Sequence, residues 1–488
     1  MMNNANSDKT RYGRWFFSDS VYKFLGLPYA EPPVNEQRWR EPLPPKNWEG
    51  VYQATEFGPV CPQKGGASFD LRTKKQSEDC LYVNVWSPDV NRNAQHPVMV
   101  WIHGGGNLGG AGSEDAFDGT ELAKKGVTVV TFNYRLGAFG FLAHPDIGCN
   151  FAVLDQVAAL KWVSNNIESF GGNPNNVTIF GESAGGMAVR SLLSVSRAKG
   201  LFHRAIIQSA GFEPYVFASD PSYDKVKKIT AEMFDKLGTN NLKSLQKIST
   251  DKVLEASHEF SGVFPPPGQV HTPANLIWNP VADGDIISKE GFPGWSIDVP
   301  ILIGCVENEA RYFIKPDKSY TSETLRNMVY ALAGPVSKRV FQILSNDNLT
   351  IYEAVDKLFS TAVWFEPSYA TIKRFEKLKN NIYYYHFAKV SPGARKTKEL
   401  AKHTSEIKYI FGNLEPKKDY DAVDINTSKA LQHAWITFAR NGVPKNCDGT
   451  FWPRYNSESP YITLITDKIV SYPLEIHPLT QAIHSLRK

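Results

Sequence analysis

Five apolar runs constrain this chain more than any other feature: "PVMVWIHGGG" (97–106), "VTVVTFNYR" (127–135), "NVTIFGESAGG" (176–186), "RAIIQSAG" (204–211) and "VPILIGCVENE" (299–309). Each is nearly continuous in hydrophobicity and is followed by, or runs into, a loop bearing glycine or acid. Strands buried on both faces of a parallel sheet require such continuity, whereas a half-exposed strand would alternate. Helical patterns lie between the runs. "LDQVAALKWVSNNIESFGG" (154–172) gathers Val157, Leu160, Trp162, Val163 and Ile167 on one broad side and stops at Gly171. "SKALQHAWITFARNG" (428–442) repeats the design, with Gly442 at its end. Alternation of this kind predicts a doubly wound α/β sheet. The stretches near 215–280 and 315–380 read as helix-rich insertions over the C-terminal edge of the sheet, where open α/β folds bind ligands. The proline-studded first 60 residues are expected to be irregular and wrapped around the outside. With no repeat or linker dividing it, residues 1–488 are read as one domain.

Charge narrows the classes of function. There are 54 basic and 50 acidic residues, a net charge of +4, and no block of five or six like charges. That pattern argues against a nucleic-acid partner or a membrane surface held by electrostatics. No apolar stretch reaches the roughly 18–20 residues of a membrane span, and the N-terminus has no signal-peptide run. The five cysteines (Cys61, Cys80, Cys149, Cys305, Cys447) are an odd number, so at least one thiol is free. This leans toward a cytoplasmic setting, with secretion as the alternative. No Cys/His cluster has metal-ligand spacing, and no cofactor is expected.

"FGESAGG" (180–186) fits G-x-S-x-G with Gly181, Ser183 and Gly185 between a predicted strand and a predicted helix. A nucleophile held out of a sheet needs a turn too tight for flanking side chains, hence glycine on both sides. Such a serine requires a base, and the base an orienting acid, in the chain order Ser, acid, His. Among the histidines late enough, His386 in "IYYYHFA" reads as a packed strand residue and His433 lies inside a helix. His477 and His484 are near the tail. His403, in "ELAKHTSEIKYIFG", is the best-placed base. For the acid, the strand "LIGCVENEARYF" ends with Glu307 and Glu309, which sequence order does not separate; Asp283 and Asp285 in "VADGD" read as a turn. The run after His103 strips side chains from Gly104 to Gly106. It suits backbone donors to a tetrahedral oxyanion, with Ala184 supplying another. A phosphate loop would instead end in G-K-[ST].

These residues resemble the type-B carboxylesterase family, which includes bacterial p-nitrobenzyl esterases, animal carboxylesterases and cholinesterases. The blocks that carry the resemblance run from about residue 12 to 475. They include "LGLPYAEPP", "SEDCLYVNVWSP", "NYRLGAFGFL", "FGGNPNNVTIFGESAGG", "GLFHRAIIQSA" and "HTSEIKYIFGNL". The resemblance implies an α/β-hydrolase fold, with a largely parallel sheet and helices on both faces. It also implies a serine hydrolase that cleaves carboxylic esters through an acyl-enzyme. The triad would be Ser183, Glu309 and His403, because Glu309 holds the acid's place in a motif resembling G-x-x-x-D-E-G. The oxyanion donors would be Gly105, Gly106 and Ala184, with Glu182 and Ser209 in support. Arg38 with Glu78, and Arg135 with Asp155, match buried ion pairs of the family, and Cys61 with Cys80 its first disulfide. The partner would be a small-molecule ester, and the protein a monomer or homodimer. The rival readings are a specialised carbamate, lactone or toxin-ester hydrolase or transacylase, and a non-catalytic scaffold relative.

The chain departs from the family pattern at several places. Asn107 stands where an aromatic is usual, Ala310 and Arg311 replace small residues after the acid, Thr404 replaces a glycine beside the base, and Ala210 replaces the glycine of "QSG". Asn107 and Arg311 lead to the expectation of a more polar acyl side and a less apolar substrate. Trp364 and Phe365 read first as core packing and second as a pocket wall.

Overall fold

The run at 97–102 shows how the fold is built. Its strand, His96–Ile102, sends alternate side chains to opposite faces. Val98, Val100 and Ile102 join a core covered by the helix Phe151–Asn166, whereas Met99 and Trp101 join a core covered by the helix Ala422–Asn441. All five residues are wholly buried, which is why the run cannot alternate in polarity. On the second face the Trp101 ring packs 4.8 Å from Phe180 and 5.1 Å from Phe411, edge to face.

The computed structural model describes residues 16–64, 75–210, 222–262, 276–288, 297–315, 320–378, 381–415 and 418–487. In chain order its strands are β1 (Phe16–Ser18), β2 (Val21–Pro28), β3 (Tyr82–Ser87), β4 (His96–Ile102), β5 (Thr128–Phe132) and β6 (Gly172–Glu182). They continue with β7 (Arg204–Gln208), β8 (Ile301–Val306), β9 (Ile382–Phe387), β10 (Tyr461–Ile465) and β11 (Ile469–Pro473). They form one sheet in the order β1-β2-β3-β5-β4-β6-β7-β8-β9-β10-β11. The stretch from β5 to β10 is parallel and the two ends are antiparallel. With helices on both faces, this is the expected α/β-hydrolase architecture.

The N-terminal expectation needs correction. Val21–Pro28 is not irregular but pairs with β3 across a bulge between Phe24 and Leu27. Inside that bulge the Gly26 N–H donates to the Asn84 side chain at 2.9 Å. A glycine in mid-run and a register shift hide the strand from any period-2 reading. The two later stretches are helical where they are described: Tyr223–Lys236 and Thr250–Glu259 in the first, and Ser322–Ala333, Ser337–Asn346, Ile351–Ser360 and Glu366–Lys377 in the second. The last two of these are joined by a five-residue π turn, Thr361–Phe365. No helix among the described residues is long and apolar enough to cross a membrane.

Both ion pairs form. Arg38 meets Glu78 at 2.5 Å and Arg135 meets Asp155 at 2.6 Å, all four side chains buried. Cys61 and Cys80 are bonded, with Cα atoms 5.1 Å apart. Cys149, Cys305 and Cys447 are free thiols.

Candidate active site

β6 ends at Glu182 and the helix Ala184–Leu192 begins two residues later, so Ser183 alone makes the turn. It sits at φ 56°, ψ −125°, a conformation costly for a residue with a side chain. The neighbouring β4 makes the glycines necessary, since a Cβ at Gly185 would collide with the Ile102 carbonyl. The Ser183 N–H donates to Gln208 O at 2.9 Å and fixes the turn against β7.

β8 ends at Val306, and the loop after it turns Glu309 inward. Glu309 is fully buried; its Oε1 accepts the Val306 N–H at 3.0 Å, and its Oε2 lies 2.5 Å from His403 Nδ1. His403 Nε2 has no hydrogen-bond partner among the described residues, although Glu182 Oε1 is 3.1 Å away. Glu307 is placed elsewhere. Its carboxylate bonds to His386 on β9, and both line a separate cavity of about 510 Å³. The structure therefore separates the two acids that sequence order left equivalent.

The imidazole of His403 is enclosed by rings. Tyr312, Phe313 and Trp364 have centroids 5.7, 5.5 and 5.4 Å from it. The π turn sends its last two residues apart: Trp364 packs on His403, whereas Phe365 packs 5.2 Å from His386 in the second cavity. Tyr312 and Phe313 were invisible to motif reasoning, although an aromatic pair just after a candidate acid was a signal to notice.

The carboxylates around the imidazole behave unlike surface acids. Burial raises the pKa of Glu182 well above the usual range, and the nearby charges of Glu309 and Glu114 add to this; a Thr404 backbone hydrogen bond partly offsets it. Glu406, three residues after His403 and fully buried, is pushed up to about 8 by burial and then by Glu182 and Glu309. Glu406 was not legible in the sequence, because nothing in "HTSE" reveals which way its side chain turns. His103 is held down to about 4 by burial, so its ring is neutral where it stacks on Tyr134 at 4.4 Å.

The glycine run comes close to Ser183, since a Cβ at Gly104 would lie 3.2 Å from the Ser183 Cβ. Gly105 and Gly106 adopt φ 106° and 62°, and a Cβ at Gly105 would collide with the Gly109 carbonyl. Among the described residues, the N–H groups of Gly105, Gly106 and Ala184 donate to no protein acceptor. A cavity of about 380 Å³ reaches this region, lined by Gly104, Glu182, Tyr312, Leu400 and Thr404. Among the described residues no group of His, Cys, Asp and Glu is arranged to hold a metal ion.

Three other predicted residues have defined surroundings. Asn107 is buried and left-handed (φ 59°), and its Nδ2 donates to Trp278 O at 3.1 Å and to Asn279 Oδ1 at 2.9 Å. It braces a loop rather than offering its amide donors to a substrate. Arg311 is equally committed, donating to Asp356 at 2.6 Å and to Lys398 O at 2.8 Å. The expectation of a polar acyl side thus loses both its supports. Ser209 is buried at φ 50°, with its N–H on Gly304 O at 2.8 Å. Its Oγ has no hydrogen-bond partner among the described residues, so the structure gives no tie between its hydroxyl and the site.

The sequence matches the Carboxylesterase family over residues 10–479. The chain belongs to the carboxylesterase family. It is 36% identical to the para-nitrobenzyl esterase of Bacillus subtilis (strain 168), covering 95% of each chain. It is 33% identical to a fumonisin B1 esterase of Sphingopyxis macrogoltabida, covering 91% of this chain and 83% of that one. Among solved structures, a PNB esterase superposes with a TM-score of 0.83 at 32% identity, over 98% of this chain and 100% of the other. A carboxylesterase of Geobacillus stearothermophilus gives 0.83 at 31%, over 98% and 99%. The chain is a carboxylic-ester hydrolase. For this carboxylesterase, the arrangement around His403 gains a chemical meaning.

Proposed function

We propose that the carboxylesterase acts on small-molecule esters through a Ser183–His403–Glu309 triad. His403 Nε2 takes the Ser183 proton as Oγ attacks the ester carbonyl, and the carbonyl electron pair becomes an oxyanion held by the N–H groups of Gly105, Gly106 and Ala184. The pair returns, the alkoxide leaves with the proton from His403, and an acyl-Ser183 remains. Water, deprotonated by His403, then releases the acid and restores the serine. Glu309 keeps the proton on Nδ1 and stabilises the imidazolium. Each oxyanion donor of this kind lowers the barrier by roughly 3–4 kcal/mol by precedent. The observation that carries the reading is the buried His403 imidazole, with Nδ1 on Glu309 and Nε2 without a hydrogen-bond partner among the described residues, 3.1 Å from Glu182, the residue before Ser183.

Kinetics of His403→Ala with p-nitrophenyl acetate test this. A loss of roughly three orders of magnitude or more in kcat is expected, and a fully active variant would overturn the assignment.

A further inference from the structure

Arg311 immediately follows Glu309 and Ala310, where small residues were expected, and it is not a surface charge. Its Nε donates to Asp356 Oδ2 at 2.6 Å, and both side chains are less than a tenth exposed. Asp356 also accepts the Asn308 amide at 3.0 Å and the Ser360 hydroxyl at 3.2 Å, and Ser360 Oγ in turn accepts the Ala310 N–H at 3.0 Å. Residues 308, 310 and 311 are therefore all gripped by the helix Ile351–Ser360. Glu309, between them, is left to face His403.

The same arginine reaches the base's loop. Its Nη1 donates to Lys398 O at 2.8 Å, five residues before His403, and the Asn308 N–H donates to Ala401 O at 2.8 Å. Lys398 and Leu400 both have positive φ, 61° and 53°. Two non-glycine residues in that region persist only where the surroundings hold them. Leu400 also lines the 380 Å³ cavity. We propose that Arg311 and Asp356 are positioning residues, a buried clamp that fixes the acid's loop and the base's loop in one register. The inference rests on the triad reading above.

The test compares Arg311→Met, Arg311→Lys and Asp356→Asn with the parent on p-nitrophenyl acetate, each normalised to sites titrated by an organophosphonate. Loss of the clamp is expected to lower kcat tenfold or more with KM within about twofold. It should also displace the acid limb of the kcat/KM–pH profile by half a unit or more. Arg311→Lys keeps a charge for Asp356 and should recover part of the loss. Because Arg311→Met leaves a buried carboxylate unpaired, the double variant R311M/D356N removes both charges and keeps the comparison readable in a stable protein. Parental kcat and acid limb in the double variant, whatever its melting temperature, would overturn the proposal. Ser183→Ala and Glu309→Ala run alongside: if they stay active, the triad reading fails and the clamp with it. If they are inactive while the clamp variants match the parent, only the clamp fails.

Discussion

His403 Nδ1 lies 2.5 Å from Glu309 Oε2, and neither side chain has appreciable contact with water. A carboxylate in that position accepts the Nδ1 proton and leaves the lone pair on Nε2, the nitrogen 3.1 Å from the carboxyl of Glu182, which precedes Ser183. Glu309→Gln offers an amide that can donate toward Nδ1 and so favours the wrong tautomer. We expect kcat to fall by roughly three to four orders of magnitude with the fold intact, measured by initial rates on p-nitrophenyl acetate together with circular dichroism. Retention of a tenth of parental kcat would contradict the role given to Glu309.

Glu406 makes the protein's stability depend on pH. Its folded pKa is raised to about 8 from the ordinary 4.5. In the unfolded chain it ionises near 4.5, so below that pH both states hold the proton and nothing is lost. As pH rises towards 8 the unfolded state ionises while the folded state resists, and stability falls. Glu406→Gln removes this penalty. Urea unfolding at pH 5 and pH 8 should show the variant gaining on the parent by a few kcal/mol over that interval. An equal difference at both pH values would show that Glu406 is ionised in the folded protein.

Thr404 carries φ 77°, a region that a β-branched residue enters only under strain. Replacing it with glycine relieves roughly 1–2 kcal/mol of that strain, offset by about 0.5–1 kcal/mol of added freedom in the unfolded chain. Thr404→Gly should therefore stabilise the protein by about 0.5–1 kcal/mol in chemical denaturation. A destabilised variant would mean that the threonine side chain makes up for its own backbone.

The acyl side is expected to be apolar. Phe313 and Trp364 face His403, Leu276 lies against Gly106, and the polar groups of Asn107 and Arg311 that sequence analysis pointed to are engaged elsewhere. Two added methylenes contribute up to roughly 0.8 kcal/mol each when buried. p-Nitrophenyl butyrate should thus exceed the acetate in kcat/KM by up to about fifteenfold. A preference for acetate would restore the polar reading.

Most of the scaffold was legible because it depends on local pattern. Buried strands must be continuously apolar, the strand–Ser183–helix turn demands Gly181 and Gly185, and Gly171 and Gly442 end their helices at φ 76°. What was not legible depends on contacts that no local pattern encodes. The Asn107 amide finds its partner 172 residues downstream, Arg311 finds Asp356 45 residues on, and Glu406 turns into the core because of what surrounds it. A side chain's chemistry suggests what it can do; only the fold shows whether it is still free to do it. The polar groups of Asn107 and Arg311 show the difference: both are engaged by protein partners.

The central claim is that Ser183 Oγ forms the covalent intermediate. Incubation with a fluorophosphonate, followed by proteolysis and mass spectrometry, reads this directly. The account predicts one stoichiometric adduct on the peptide bearing Ser183, abolished in Ser183→Ala and strongly slowed in His403→Ala. An adduct on another residue, or undiminished labelling and ester hydrolysis in Ser183→Ala, would contradict it.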